Sequence, residues 1–300
     1  MYSTNMRLEL GQLFEAIIGE TQGAFAPGAL ASDTLPPGMD AAPEDSQGDL
    51  FGGPGKGINT DINKKDIAIV MGMHTETGID FSVLQPEIFN LFELSRDAFG
   101  AIVYAWMSEL PVTEHIIRFG KKILASQNTV AKEIEPRGKL EIAWRKAAQI
   151  AATDRGDFDV QTVREAAQKV WHEIHRLMGL LRFCPNENGV YTARCEPDHF
   201  VLPALGPHFM GRFGETPWAI IDNKRRLSLS CEAWQSGASG KALVFSANAE
   251  NMSSSGKGQT GEWENLWKHY HKIINNESRN NPDLQRRFMP TRYWKYLSEL

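Results

Sequence analysis

"DVQTVREAAQKVWHEIHRLMGLLRFCPNENGVYTARC" (Asp159–Cys195) changes its hydrophobic period part-way, and that change decides the fold class. In its first part Val163, Ala166, Ala167, Val170, Ile174, Leu177 and Met178 recur at helical spacing and form one stripe. Gly179 suits a cap at the end of that helix. After Leu180 the pattern shortens to strands, "LRFC" and "VYTARCE", and the Asn-Gly pair in "NENGVY" predicts a hairpin between them.

Towards the C-terminus, "WAIID", "RLSLSCE" and "ALVFSA" continue the strand pattern. "VLPALGPHFMGRF" interrupts them as a helix with Pro203 in its first turn. "GEWENLWKHYHKII" predicts an amphipathic helix that buries Trp263, Leu266, Trp267, Tyr270 and Ile273 or Ile274. Towards the N-terminus the signals are helical: "QPEIFNLFELSRDAFGAIVYAWMSELP", punctuated by Pro86 and Pro111, then "VTEHIIRFGKKILA" and "LEIAWRKAAQIAATD". The expected class is α+β: a mainly helical N-terminal half packed on a small antiparallel sheet, with a C-terminal helix and tail.

The first 60 residues differ from the rest. "LELGQLFEAIIGE" (Leu8–Glu20) has the spacing of a short amphipathic helix through Leu10, Leu13, Phe14, Ile17 and Ile18. From Gly23 to Gly57 the chain is rich in Gly, Pro, Ala and Asp, with too few large apolar residues to offset its ordering entropy. Residues 1–60 are therefore expected as an acidic, mobile arm, whose charge would also suit covering a basic surface. Residues 61–180 are expected as a helical region and 181–300 as an α+β region, the two forming one continuous unit.

The formal net charge of -5 conceals this division. Residues 1–50 hold eight acids (Glu9, Glu15, Glu20, Asp33, Asp40, Glu44, Asp45, Asp49) against Arg7 alone, which leaves 31 bases and 29 acids in the other 250 residues. The body is close to neutral, so overall acidity does not exclude a polyanionic partner. No apolar run reaches the length of a membrane helix, and no basic segment followed by an apolar block opens the chain. Cys184, Cys195 and Cys231 are odd in number and set among apolar residues, which predicts buried thiols in a reducing, cytoplasmic setting.

Two Gly-Lys stretches, "GGPGKG" and "SSGKGQT", lack the spacing of a phosphate loop. There is no Cys-x3-Cys-x2-Cys triad for an iron–sulfur cluster and no Cys-x2-Cys pair for zinc. Neither a cofactor nor a metal is expected. The titratable candidates are His175, on the edge of the long helix, and the "EPDHF" cluster with Asp198 and His199 at a strand-to-helix junction. A histidine beside a carboxylate transfers protons near neutral pH; a cap at the helix start is the competing role for Asp198. His172 faces solvent, opposite the apolar stripe.

The C-terminal run "NPDLQRRFMPTRYWKYLSEL" (Asn281–Leu300) and the turn "DNKRRL" (Asp222–Leu227) concentrate cations. Arg182, Arg225, Arg226, Arg279, Arg286, Arg287, Arg292 and Lys295 are candidate phosphate contacts, and Tyr293 and Trp294 offer stacking faces for unpaired bases. A tail docked through Phe288, Met289, Trp294 and Leu297 is the alternative, and both roles are expected together, with Phe288 and Trp294 as anchors.

"EIHRLMGLLRF", "EPDHFVLPALGPHFMGRF", "WAIIDNKRRLSLS" and "SRNNPDLQRRFMPTRYWKYLSE" occur in an order that resembles a bacterial family of probable DNA metabolism proteins, a domain of unknown function. The resemblance runs from about Val83 to Leu300. It includes His175, Arg182, Asp198, His199, His208, Asp222, Arg225, Arg279, Gln285, Arg292, Tyr293 and Trp294. Thr291 stands where that family usually has Lys, and Arg226 where a small residue is common. The first 60 residues look little like the family's front end. The resemblance implies a DNA-repair or DNA-modification context and a radical S-adenosylmethionine protein as partner. It also implies kinship with domains fused to uracil-DNA-glycosylase-like domains. It implies no reaction. Three functions are therefore expected in order: DNA binding in support of that partner, direct action on DNA as a base-excision glycosylase with His175, Asp198 and His199 as acid/base groups, and a protein-binding adaptor.

Overall fold

A computed structural model describes residues 10, 12–18, 74–75, 78–79, 86–130, 137–186, 188–233, 241–247 and 259–297. The Gly23–Gly57 stretch with "GGPGKG", and all of "SSGKGQT" but Gln259 and Thr260, lie outside them.

The front of the expected arm is a docked helix. Residues 12–18, with Leu10 just before, are helical (α1) and bury Leu10, Leu13, Phe14, Ile17 and Ile18. Phe14 stacks on Phe99 with centroids 5.2 Å apart. Ile17 lies so close to Gly120 that a β-carbon there would meet its Cγ2 at 2.7 Å. A branched side chain cannot yield, so Gly120→Ala is expected to cost about 1–3 kcal/mol, read by urea unfolding. A two-stranded hairpin, β1 (His74–Thr75) and β2 (Gly78–Ile79), follows.

The helical half continues with α2 (Pro86–Leu94), α3 (Arg96–Met107), α4 (Thr113–Ala125), α5 (Arg137–Ala152) and α6 (Phe158–Leu180). The predicted helix between Pro86 and Pro111 breaks at Ser95, whose extended backbone and Oγ, accepting from the Ala98 N–H at 3.2 Å, start α3 afresh. α6 begins at the Asp157 cap, which accepts from the Val160 N–H, and packs along α3 and α4. Its buried stripe is the predicted one, except that Met178 is only half-buried and Val160 and Glu173 join it. Gly179 is not the cap: α6 runs on to Leu180 and ends at an extended Leu181. Nothing lies within 4 Å of a β-carbon placed on Gly179. Gly179→Ala is therefore expected to raise stability by about 0.5–1 kcal/mol, measurable as a higher urea midpoint with unchanged slope.

The second half is a five-stranded sheet in sequence order: β3 (Cys184–Pro185), β4 (Tyr191–Cys195), β5 (Trp218–Asp222), β6 (Leu227–Ala233) and β7 (Lys241–Ala247). It is mixed, not antiparallel as expected. β4 and β5 run parallel, because α7 (Leu202–Phe213) carries the chain back to the starting end before β5 begins. The other pairs are antiparallel. Their register, from Tyr191 opposite Trp218 to Cys195 opposite Asp222, makes the two parallel strands end together. β5 is buried along its whole length.

α8 (Gln259–Ile274), α9 (Pro282–Phe288) and a 3-10 turn (Thr291–Tyr296) follow among the described residues. Here two burial expectations fail. Leu266, Tyr270, Ile273 and Ile274 of α8 face solvent, and only Trp267 of that predicted face is half-buried. The side chain of Trp263 lies outside the described residues. Phe288 is exposed; Leu297 is buried as the docked tail requires, and Tyr293 is buried with it. Both failures have one physical origin: an amphipathic pattern fixes which residues share a face, but not which neighbour that face meets. No helix among the described residues is long and apolar enough to cross a membrane.

Candidate functional site

Because β4 and β5 are parallel and end together, the loop Glu196–His199 and the turn Asn223–Arg226 leave the sheet side by side. The Asn223 N–H donates to the Cys195 carbonyl at 3.0 Å, which ties one to the other. The carboxyl ends of parallel strands are where open sheets place their ligands.

The loop is held from beneath by Glu173 of α6, which is 1% exposed. One carboxylate oxygen accepts the Asp198 N–H at 2.9 Å and the other the His199 N–H at 2.8 Å. The Tyr293 hydroxyl donates to it at 2.5 Å, and Arg292 reaches it at 3.2 Å. Burial opposes ionisation of Glu173, but the hydrogen bonds from Tyr293, Asp198 and His199, with the nearby His199 ring, outweigh it and hold the carboxyl below its ordinary value. Burial and the Glu173 carboxylate push the Tyr293 phenol up, so it stays a donor. A buried charge with four donors is a fixed joint between helix, loop and tail.

The turn is held from the side. Asp222, fully buried, accepts from the backbone N–H groups of Lys224 (2.9 Å) and Arg225 (3.1 Å) and from the Arg225 guanidinium (2.8 Å). Arg225 also pairs with Glu109 and donates to the carbonyls of Pro197 (3.1 Å) and Asp198 (3.0 Å). Lys224 donates to the Asp198 carbonyl at 2.9 Å. Burial pushes the Asp222 carboxyl up, against the lowering effect of Arg225. Glu109 and Arg226 are the non-glycine residues with positive φ among the described ones, at 56° and 54°. Glu109 is a member of the Arg225–Glu109 pair and Arg226 adjoins it, and such backbone strain gathers at functional sites.

The tail closes the third side. Lys295 and Tyr296 donate to the two oxygens of Glu196 at 2.5 and 2.6 Å, and Asn223 donates to the Tyr296 hydroxyl at 3.0 Å. These bonds, that of Lys295 first, hold Glu196 below its ordinary pKa. Arg292 bridges Glu173 and Asp198, meeting Asp198 at 2.8 Å, and lies over the Tyr293 ring.

His199 is half-buried. Its Nδ1 lies 2.8 Å from the Ser108 carbonyl oxygen, which can only accept, so Nδ1 carries the proton and Nε2 bears the lone pair of the neutral ring. Asp198 does not cap α7; Val201 occupies that position without a side-chain bond. His175 is not brought to this pair. It sits two residues after Glu173, about 200° round the helix, exposed and stacked on Trp171. His208 is on α7, against Phe209.

Among the expected nucleic-acid residues, Arg225, Arg292 and Lys295 converge on the Glu196–His199 loop, engaged with carboxylates. Arg226 is exposed beside them. Arg279, Arg286 and Arg287 are exposed on the approach to the tail, Arg286 paired with Asp283 and Arg287 near the Phe288 ring. Arg182 donates to the Gly179 carbonyl and lies 5.2 Å over the Trp267 ring. Tyr293 is buried, and Trp294 is half-buried with Nε1 donating to the Met289 carbonyl at 2.9 Å.

Glu173 escaped the sequence reading, although a signal exists. It lies three residues after Val170 and four before Leu177, within the apolar stripe, and a carboxylate on a buried face requires donors. No curated protein and no solved structure matches the chain. Residues 112–299, which contain α4 to the tail and nearly all of this site, match the family described as domain of unknown function DUF4130. Ser108 and Glu109 alone of the residues just described fall outside that span, and the chain belongs to the DUF4130 family.

Proposed function

We propose that this protein binds DNA in a repair or modification setting and supports a radical S-adenosylmethionine partner enzyme. The observation that carries the DNA part is convergence: the basic turn 223–226 and the basic tail, more than 60 residues apart in the chain, meet at the carboxyl ends of β4 and β5. Lys224, Arg226, Arg286 and Arg287 are exposed there or on the segment leading there. Arg292 and Lys295 pair with Asp198 and Glu196 at the surface, and phosphate oxygens can replace those carboxylates. The repair setting and the partner rest on the sequence resemblance.

Fluorescence anisotropy with a labelled single strand and a lesion-bearing duplex tests the proposal. Affinity for one of them is expected to fall roughly tenfold or more between 50 and 200 mM salt, by counterion release. Arg226→Ala with Arg287→Ala is expected to reduce the salt slope by about 1–2. Absence of binding to both at low salt overturns it.

A second reading, a glycosylase acting directly on the base, is favoured by His199, whose Nδ1 is engaged by the Ser108 carbonyl so that Nε2 is the ring's acceptor. Incubating the protein with modified duplexes, followed by alkali, is expected on this reading to give strand cleavage that His199→Ala abolishes. Intact strands across a broad lesion panel overturn it.

A further inference from the structure

The C-terminal half of α6 turns a polar edge to solvent that the candidate site does not use. Lys169 lies four residues before Glu173 and Arg176 three after it, so both flank Glu173, about 40° and 60° round the helix on the side away from the apolar stripe. His172 stands between them on the same edge. From Gln168 to Gly179 the exposed positions are Gln168, Lys169, His172, His175 and Gly179, with Arg176 half-exposed. None of these carries a carboxylate, and Glu165, about a turn before Lys169, ends the strip. Among the described residues the side chains of Lys169 and Arg176 have neither an ion pair nor a hydrogen bond. Partial burial, the Arg176 guanidinium and the His175 ring each push the His172 imidazole below its ordinary value.

The strip adjoins the tail, because Glu173 is the group to which the tail is fastened. Arg292 meets Glu173 at 3.2 Å and Asp198 at 2.8 Å, and Lys224 donates to the Asp198 carbonyl. Cations therefore run from the turn 223–226 through Arg292 to the edge of α6. We infer that Lys169, His172 and Arg176 are further phosphate contacts, over which the DNA backbone that meets turn and tail continues across α6. The inference rests on the DNA reading above. The chemistry of the strip selects its occupant. A protein partner seats large apolar or aromatic anchors at the centre of its interface, and none of the exposed large hydrophobic side chains lies on this edge. A phosphodiester backbone needs only spaced cations and hydrogen-bond donors.

Fluorescence anisotropy on the full chain, with the labelled single strand and the lesion-bearing duplex, tests it. Lys169→Ala with Arg176→Ala is expected to weaken binding about tenfold or more at about 50 mM salt and to lower the salt slope by about 1–2. Lys169→Arg with Arg176→Lys keeps both charges and is expected to retain the wild-type slope, which separates charge from any packing by the Arg176 stem. His172→Glu, at an exposed position, places an anion in the strip and is expected to weaken binding as well. Arg155→Ala, which removes an exposed cation from the loop before α6, is expected to leave affinity unchanged. Wild-type binding whose slope the double alanine variant leaves unchanged overturns this inference alone and leaves the DNA reading standing. Absence of wild-type binding to both probes at low salt overturns the two together. A preference for phosphatidylglycerol vesicles over both probes, lost in the double alanine variant, also overturns the inference, since the strip then serves a lipid surface.

Discussion

Glu173→Ala is expected to destabilise the protein by about 3–5 kcal/mol, the loss found when one partner of a buried charged network is removed. The substitution leaves the Asp198 and His199 N–H groups, the Tyr293 hydroxyl and one contact of Arg292 without their acceptor. Tyr293→Phe removes a single donor and is expected to cost about 1–2 kcal/mol. In urea unfolding, the double variant is expected to lose less than the sum of the two, because both act on one joint. A loss under about 1 kcal/mol for Glu173→Ala contradicts the assignment of that joint. The same network sets a pH dependence. The folded carboxyl titrates below its ordinary value of 4.5, so its contribution is complete above that pH and is lost as pH falls through the folded value. The stability gap between wild type and Glu173→Gln is therefore expected to narrow as the medium is acidified below about pH 4.5.

Asp222→Ala is the second large effect, expected at about 2–4 kcal/mol. It removes the acceptor for two backbone N–H groups and leaves the Arg225 guanidinium, itself largely buried, with only Glu109 and two carbonyls. Glu109→Ala supplies the contrast. Its carboxylate is half-exposed, so loss of that pair is expected to cost about 1 kcal/mol or less. Asp222→Ala also releases the turn in which Arg226 is held at positive φ. If the turn contributes to DNA binding, affinity is expected to fall in Asp222→Ala protein that remains folded at low temperature. Affinity that is unchanged while the turn loosens would remove Arg226 from the interface.

The helices from Pro86 to Ile274, apart from the break at Ser95, and the strands of the main sheet were legible to within a few residues, because their hydrophobic periods are strong; the hairpin β1–β2, in a stretch expected to be helical, and α9 were not. "WAIID" and the stripe of α6 are instances. The helix at residues 12–18 was legible too, by spacing alone, although composition assigned its surroundings to an arm. Of the candidate site, the sequence supplied Asp198, His199, Arg225, Arg292 and Lys295 as separate candidates. It did not supply their order of importance, nor Glu173, Asp222 or Glu109 as the groups that hold them. His175 looked equivalent to His199 in the sequence, and the helix places it on another face.

What the sequence by itself determined is local: element type, the residues sharing each face, the acidic front and the basic C-terminal run. These follow from periods of 3.6 and 2 and from composition, which need no partner to be read. What only the tertiary structure decided is adjacency. The parallel pairing of β4 with β5 put the loop 196–199 beside the turn 223–226, where an antiparallel pair would have sent them to opposite ends of the sheet. The tail then met both, its cations satisfied by three carboxylates from helix α6 and the loop 196–199. A charge in a sequence has no partner until the chain is packed, and packing is what turned a basic tail into part of a site.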